Sequence, residues 1–153
     1  MNEVELMRIL LGNDVTAPYF CGVISHDQLN TQPVPDEGYY ICNSDDSNGP
    51  GKHWLAVCWS SQKKQSAELF DSLAHLPKEY DKNFTDFLIS NGPDYRFSLK
   101  RVQSESSIKC GEFCVFFVYH RCKGFTFEEI LAMFCDTNLE QNDVIVEQFM
   151  QTM

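Results

Sequence analysis

Four side chains in this sequence could together carry out nucleophilic acyl chemistry, and along the chain they are His53, Asp71, Gln103 and Cys110. Such chemistry needs a thiol, a base that takes its proton, a group that orients the base, and donors for the tetrahedral oxyanion. Cys110 is the candidate thiol, His53 the base and Asp71 the orienting carboxylate. The Gln103 side-chain amide and the Cys110 backbone N–H are the candidate oxyanion donors. The set favours a cysteine protease mechanism.

Cys110 stands at the start of a predicted buried helix. A polar, turn-rich segment at 103–109 leads into Cys110 and Gly111, and an almost unbroken apolar run follows from Phe113 to Tyr119. The first N–H groups of a helix lack intrahelical partners, so its positive dipole end favours thiolate over thiol. The plainer alternative is that Cys110 is a small buried hydrophobic residue, as most free cysteines are.

His53 opens one predicted strand and Asp71 ends the next. Residues 53–59 are apolar at both parities, which is typical of a strand buried on two faces, and residues 66–71 form the returning strand. If the pair is antiparallel, these ends lie side by side and an imidazole–carboxylate hydrogen bond is readily formed. Each residue taken alone has a plainer interpretation. His53 could be a structural or surface residue, Asp71 a turn residue, and Gln103 a solvated side chain in a loop.

Hydrophobic periodicity predicts the other elements. Val4, Met7, Leu10 and Leu11 predict one face of an N-terminal helix over 3–11. The apolar run 18–24 is interpreted as a turn before a crossing loop, and 60–65 as a hairpin connection. Strands are predicted at 39–43 and 95–102, and helices at 78–90, 111–121, 130–135 and 142–150, with Thr126 and Glu129 forming a capping box.

Length and composition indicate one globular domain over residues 1–153. The chain is 43% hydrophobic and 22% charged, without repeats or low-complexity tracts. No window reaches the roughly 18 apolar residues of a membrane span, and the N-terminal residues lack the basic region of a signal peptide. We therefore expect an intracellular protein that does not bind membranes.

Charge and cysteine content limit the partners. The net charge of −10 opposes binding to phosphate backbones, so DNA is not an expected partner. Seven cysteines, with no C-x-x-C pair, exclude a complete disulfide framework and fit a reducing compartment. A zinc site built from Cys110, Cys114, His120 and Cys122 lacks the usual ligand spacing, and we expect no metal.

Five short motifs resemble the adenovirus maturation protease family, adenain. They are Pro18-Tyr-Phe-x-Gly22, the Gly-x-His-Trp-x-Ala-x-x-Trp pattern at 51–59, Leu69-Phe-Asp71, Val102-Gln103 and Cys110-Gly-x-Phe-Cys114. The resemblance recurs from Pro18 to about Phe117, and the seven-residue step from Gln103 to Cys110 matches the family. Two of these motifs, His53-Trp54 and Gln103 followed by Cys110-Gly111, also resemble SUMO-type deconjugating proteases, which are related by fold and have looser spacing.

The resemblance implies an α+β, permuted papain-like fold in which helices flank a mostly antiparallel sheet. It implies a His53, Asp71 and Cys110 triad and an oxyanion hole from Gln103 and Cys110. It also implies that Trp54 and Gly111 line a substrate groove that admits glycine. The implied activity is cleavage of viral capsid or core precursors next to Gly, by a monomeric enzyme in the host cell, its nucleus or the virion.

Three departures from adenain shape the expectations. Asp71 replaces a glutamate and is instead what SUMO-type proteases use. No cysteine lies between Trp59 and Lys109, so a disulfide-linked activating peptide is not expected, although a non-covalent peptide is compatible. Adenain is basic and stimulated by DNA, whereas this chain is acidic. The alternatives are a SUMO or ubiquitin-like deconjugating protease, an acetyltransferase on a related fold, and an inactive binding module.

Overall fold

A five-stranded sheet with helices on both faces forms the described part of the chain. The structure is a computed structural model that describes residues 1–31, 36–45, 53–60, 66–91 and 94–153. The strands are β1 Phe20–Ser25, β2 Glu37–Asn43, β3 Trp54–Ser60, β4 Ser66–Phe70 and β5 Arg96–Phe97. The α-helices are α1 Glu3–Gly12, α2 Lys82–Asn91, α3 Cys110–Cys122, α4 Phe127–Leu131 and α5 Leu139–Met150, and short 3₁₀ helices lie at His26–Thr31 and Pro77–Glu79.

The strands follow one another across the sheet in chain order. β3 pairs antiparallel with both β2 and β4, whereas β1 and β5 pair parallel with β2 and β4 at the two edges. The predicted α+β class is confirmed, and the antiparallel character belongs to the three central strands. Because Ala56 pairs with Phe70, the residues before Trp54 and after Phe70 emerge from the same end of the sheet.

Each face of the sheet carries its own apolar layer. On one face, side chains that include Ile41, Ala56 and Phe70 pack against α1, α3, α4 and α5. On the other face, side chains that include Leu55, Val57 and Leu69 pack against α2 and the first 3₁₀ helix. Successive residues of a strand point to opposite faces, so a strand covered on both sides is apolar at both parities. This confirms the interpretation of residues 53–59.

Helix α3 is the central helix predicted from the apolar run after Cys110. All residues from Phe113 to Val118 are at most 5% exposed. The sheet covers one side of the helix, and α1, α4 and α5 contact the others. The Phe117 ring stacks on Phe70 of β4 with centroids 4.6 Å apart. A helix that is apolar all round is therefore explained by its enclosure, and it begins at Cys110.

The structure corrects two strand assignments. Residues 20–25 form edge strand β1, where a turn was predicted, with a register irregularity between Phe20 and Gly22 and a φ of +141° at Gly22. The predicted strand 95–102 shortens to β5, because its second half leaves the sheet. There Lys100 donates to the carbonyls of Leu131 and Phe134 at 2.9 and 2.8 Å, which draws the chain towards the end of α4.

Helix assignments are correct in type and shifted at their ends. In α1, Leu6 and Leu10 are the buried pair, whereas Val4 and Leu11 are 74% and 48% exposed, so the predicted face was wrong in those two residues. The helix predicted over 78–90 is a 3₁₀ turn followed by α2, and the one predicted over 142–150 is α5. The helix predicted over 130–135 was wrong in most residues, because α4 ends at Leu131 and shares only two residues with it. The capping box at Thr126 is present.

The hairpin connection was predicted over 60–65, and Ser60 instead ends β3, whereas residues 61–65 lie outside the described residues, as does most of the loop predicted at 44–52. None of the helices in the described ranges combines the length and the apolar content that crossing a bilayer would require.

A buried ion pair joins the last turn of α3 to β4. Glu68 is 4% exposed, and its two carboxylate oxygens accept from Arg121 Nε at 2.9 Å and Nη2 at 3.2 Å. The Cys58 thiol donates to the same carboxylate at 3.1 Å. This bidentate ion pair replaces the hydration that the Glu68 carboxylate loses on burial.

Arg121→Ala should lower the free energy of unfolding by about 3–5 kcal/mol, because it leaves the Glu68 charge buried without its cation. Urea unfolding followed by circular dichroism measures this. The matched control is Arg96→Ala, which removes an exposed ion pair to Glu128 of similar length, 2.8 Å, and should cost about 0–1 kcal/mol. Equal losses in the two variants would contradict the role given to burial.

Candidate active site

The ends of β3 and β4 bring His53 and Asp71 into direct contact. His53 Nε2 lies 2.7 Å from Asp71 Oδ1. The Asp71 side chain is 1% exposed and that of His53 is 11% exposed. The contact predicted from the antiparallel strand ends is therefore present, and it is shielded from water. Because Nε2 is used by Asp71, Nδ1 is the ring nitrogen left for Cys110.

The Asp71 carboxylate is surrounded by hydrogen-bond donors. Besides His53, Oδ1 accepts from the Leu73 backbone N–H at 2.9 Å. The other oxygen, Oδ2, accepts from the Tyr80 hydroxyl at 2.5 Å and from the His75 backbone N–H at 3.2 Å. Burial raises the pKa of Asp71, but the bonds from His53, Tyr80 and Leu73 outweigh it and leave that pKa below its usual value.

A tight turn after β4 creates this arrangement. The Ala74 N–H donates to the Asp71 carbonyl at 2.9 Å, which folds the chain back over the carboxylate. Ala74 has a φ of +54°, a left-handed conformation that costs a non-glycine residue about 1 kcal/mol or more. The backbone is thus held in a strained turn that aims two N–H groups at Asp71.

His53 and Cys110 form a coupled pair at the start of α3. Burial opposes the imidazolium, but hydrogen bonds and charges from Asp71 and Cys110 raise the pKa of His53 to about 9. Burial also opposes the thiolate, yet the hydrogen bond and charge of His53, with backbone groups at Trp54 and Gly111, leave the pKa of Cys110 below its ordinary value. These opposite shifts favour a thiolate–imidazolium pair near neutral pH.

Gln103 is buried beside this pair, with its side chain held at both ends. It is 2% exposed. Its Oε1 accepts from the Ser72 hydroxyl at 2.6 Å, and its Nε2 donates to the Ser107 carbonyl at 2.9 Å. Arg101 Nε donates to the Gln103 backbone carbonyl at 2.8 Å, which fixes the main chain of the same loop.

One cleft of about 330 Å³ opens onto the base, the thiol and the glutamine. His53, Gln103 and Cys110 line it, together with Leu73, Arg101, Glu105, Ser107 and Ile108. A larger groove of about 590 Å³ lies between β5 and α4, and its lining contains no cysteine or histidine. The chemistry therefore identifies the smaller cleft as the candidate active site.

Trp54 and Gly111, the predicted substrate contacts, lie against each other and against Met1. The Trp54 indole N–H donates to the Met1 carbonyl at 3.0 Å. A Cβ at Gly111 would lie 3.0 Å from Met1 Cβ and 3.5 Å from Trp54 Cδ1, so a side chain there would displace a neighbour. Gly111 is buried, and the residues that line the cleft at Cys110 do not include either of the two, so their contact with substrate stays a prediction.

The residues considered for a zinc site have other partners. His120 Nδ1 bonds to the Phe116 carbonyl at 2.7 Å, and the ring packs against Phe125 and Phe149. The Cys114 thiol donates to the Trp54 carbonyl at 3.4 Å. Within the described ranges, no three His, Cys, Asp or Glu side chains come together in a way that could hold a metal ion.

Sequence reasoning missed two residues of the site, Tyr80 and Ser72. Tyr80 was assigned to the apolar face of a helix, whereas it lies beyond the 3₁₀ turn and bonds to Asp71 while its ring stacks on His53. The local sequence pattern does not predict the hydrogen bond between Tyr80 and Asp71. Ser72 is fully buried, and its position directly after Asp71 at the end of a buried strand was the available signal.

Tyr80→Phe should lower the free energy of unfolding by about 1.5–3 kcal/mol, the usual worth of a hydrogen bond to a charged group. Urea unfolding at neutral pH measures it. Tyr95→Phe serves as the control, because this exposed tyrosine has no hydroxyl partner in the described part of the chain, and its effect should stay within about 0.5 kcal/mol. A Tyr80→Phe variant as stable as its control would rule out the bond to Asp71.

Comparison with known proteins gives similarity in structure only. No protein-family model matches the sequence, and no curated protein matches it. The ASFV protease, solved in selenomethionine form, matches with a TM-score of 0.50 and 17% identity over 70% of this chain and 42% of that chain. ChlaDub1 from Chlamydia trachomatis matches with a TM-score of 0.56 and 16% identity over 83% of this chain and 72% of that chain.

This chain spans less than half the length of the ASFV protease. At such identities the likeness concerns the arrangement of helices and strands rather than activity. The chain therefore shares the α+β fold of these two proteins, a five-stranded sheet flanked by helices.

Proposed function

We propose that this protein is a cysteine peptidase with Cys110 as nucleophile, His53 as general base and acid, and Asp71 as the group that orients His53. The observation that carries the proposal is the buried 2.7 Å contact between His53 and Asp71, coupled to a thiol whose pKa is lowered. Five other cysteines have pKa values raised by burial, and they are Cys21, Cys42, Cys58, Cys114 and Cys122.

The reaction begins with attack of the Cys110 thiolate on the scissile carbonyl carbon, which forms a C–S bond and an oxyanion. The backbone N–H of Cys110 and Nε2 of Gln103 donate to that oxyanion. Collapse of the intermediate breaks the C–N bond, and the leaving amine takes the proton of the His53 imidazolium. His53 then removes a proton from water, whose oxygen attacks the thioester, and C–S cleavage releases the acid and restores the thiolate.

Electrostatics make the first step accessible at neutral pH. Ionised Asp71 is close enough to stabilise the imidazolium and leaves Nδ1 of His53 directed to the thiol. The imidazolium in turn stabilises the thiolate against the cost of burial. The nucleophile is thus charged before substrate arrives, which is the usual way in which a cysteine is activated.

The proposed substrates are polypeptides with glycine next to the scissile bond, of the kind found in viral capsid and core precursors. The support is the adenain-like motif set, which includes Trp54 after the base and Gly111 after the nucleophile. Modifier deconjugation after Gly-Gly is the second candidate. It is favoured by one observation, an aspartate rather than a glutamate as partner of His53.

We also propose that activity requires neither DNA nor a disulfide-linked peptide. The net charge of −10 disfavours a polyanion. All seven cysteines are free, and the exposed one, Cys21, lies on β1 rather than in the interval where adenain has its peptide-linked cysteine. A non-covalent activating peptide remains compatible with the site.

The protein should cleave a fluorogenic Leu-x-Gly-Gly peptide, and Cys110→Ala should abolish turnover because it removes the nucleophile. A SUMO–fluorophore fusion assayed in parallel distinguishes the two substrate classes by the ratio of their kcat/KM values. Added DNA should leave the rate unchanged, and stimulation would contradict the charge argument. A folded protein that cleaves neither substrate would refute the peptidase proposal.

The pH profile of kcat/KM should be bell-shaped. The rate rises as Cys110 ionises, at a pH below the ordinary thiol value, and falls as the His53 imidazolium loses its proton around pH 9. Asp71→Asn removes the negative charge that raises the His53 pKa, so the alkaline limb should move to lower pH as the maximum rate falls. Asp86→Asn, on the exposed face of α2, is the matched control. An alkaline limb that stays in place in folded Asp71→Asn would contradict the assignment.

A further inference from the structure

The geometry points to Ser72 as the residue that positions the oxyanion donor Gln103, an inference that rests on the proposed peptidase function. Ser72 is fully buried and directly follows Asp71. Its hydroxyl donates to Gln103 Oε1 at 2.6 Å. Its backbone carbonyl accepts from the N–H groups of Val102 and Gln103 at 2.9 and 3.0 Å. Three hydrogen bonds thus join one residue to the segment that carries the oxyanion donor.

The Ser72 hydroxyl matters because the two ends of a glutamine amide have opposite functions. Only Nε2 can donate to an oxyanion, whereas Oε1 would repel it. Ser72 gives Oε1 a buried donor on the side of β4, and the Ser107 carbonyl accepts from Nε2 on the side of the cleft. With both ends held, Nε2 stays beside Ser107, which lines the same cleft as Gln103 and Cys110.

Loss of the Ser72 hydroxyl would leave Gln103 Oε1 buried without a donor. A buried carbonyl in that state is costly, so the side chain gains by rotating towards water. Rotation would carry Nε2 away from the oxyanion position, while the contact between His53 and Asp71 would stay in place. Ser72 therefore acts on the oxyanion, and its neighbour Asp71 acts on the base.

Adjacent residues at the end of β4 thus control the two halves of the site. Asp71 Oδ1 fixes the imidazole, and the next residue fixes the amide. Because the two residues share a peptide bond, the base and the oxyanion donor keep a constant relative position. Ser72 is a positioning residue in this scheme, since its own hydroxyl contacts Gln103 and not the reacting atoms.

The test is a double-mutant cycle on kcat for the Leu-x-Gly-Gly peptide. Gln103→Ala should reduce kcat by about 100-fold, the effect of removing one oxyanion donor, and Ser72→Ala by about 10-fold or more with little change in KM. In the Gln103→Ala background, Ser72→Ala should have no further effect, because the group through which it acts is gone. The rate of Cys110 alkylation by iodoacetamide should stay unchanged in Ser72→Ala.

Ser98→Ala is the matched control. Ser98 is also a buried serine, but its hydroxyl accepts from the Asp71 N–H at 2.9 Å. Its effect should therefore add to that of Gln103→Ala. Unchanged kcat in Ser72→Ala, an additive cycle, or slowed alkylation of Cys110 would each overturn the inference. Urea unfolding verifies that each variant is folded. If Ser72→Ala alone is unstable, stability regained in the double variant, which lacks the unpaired carbonyl, supports the coupling of the two residues, and no regain overturns it. A wild-type protein inactive on both substrates would instead refute the peptidase proposal, and the role of Ser72 with it.

Discussion

The candidate site depends on a carboxylate that stays charged without contact with water. A buried ion is stable only when its surroundings replace its hydration, and otherwise it takes up a proton. Asp71 meets that condition with donors on both oxygens, two from backbone N–H groups and two from the side chains of His53 and Tyr80. A neutral Asp71 would no longer raise the His53 pKa, and the Cys110 thiolate would lose its cation in turn.

Elements distant in sequence also fix the position of the loop that carries Gln103, the proposed oxyanion donor. Lys100 ties the chain before the loop to carbonyls at the end of α4. The amide of Asn142, in α5, donates to the Val102 carbonyl at 2.9 Å, and its oxygen accepts from the Cys135 N–H at 2.7 Å. The C-terminal helices are thus part of the frame that sets Gln103, although none of their residues lines the cleft.

The sequence predicted those features that depend on local pattern. The two-faced strand β3 and the enclosed helix α3 follow from unbroken apolar runs, and the contact between His53 and Asp71 follows from the ends of an antiparallel pair. Edge strand β1 and the loss of strand pairing beyond β5 could not be predicted in this way. They depend on parallel pairing and on the Lys100 contacts, which join segments that local sequence does not connect.

Tyr80 and Ser72 escaped prediction for a related reason. An apolar periodicity places an aromatic side chain in the interior, but it does not tell which polar group the hydroxyl meets there. A serine after a strand is common turn chemistry, and only the packed structure makes its hydroxyl a partner of Gln103. Polar contacts between segments distant in sequence are therefore the part of a site that pattern analysis leaves open.

The cysteines illustrate why placement rather than residue type selects a nucleophile. Desolvation raises the pKa of every buried thiol, and it is the largest effect even at Cys110. Cys114 lies one turn further along the same helix, and its pKa is raised well above the ordinary value. Cys114 is fully buried, whereas Cys110 is only partly buried and has the hydrogen bond and charge of His53 beside it. Reactivity in this chain thus depends on the contact between the residue before β3 and the first residue of α3, where the buried charge of Asp71 keeps the His53 imidazole protonated.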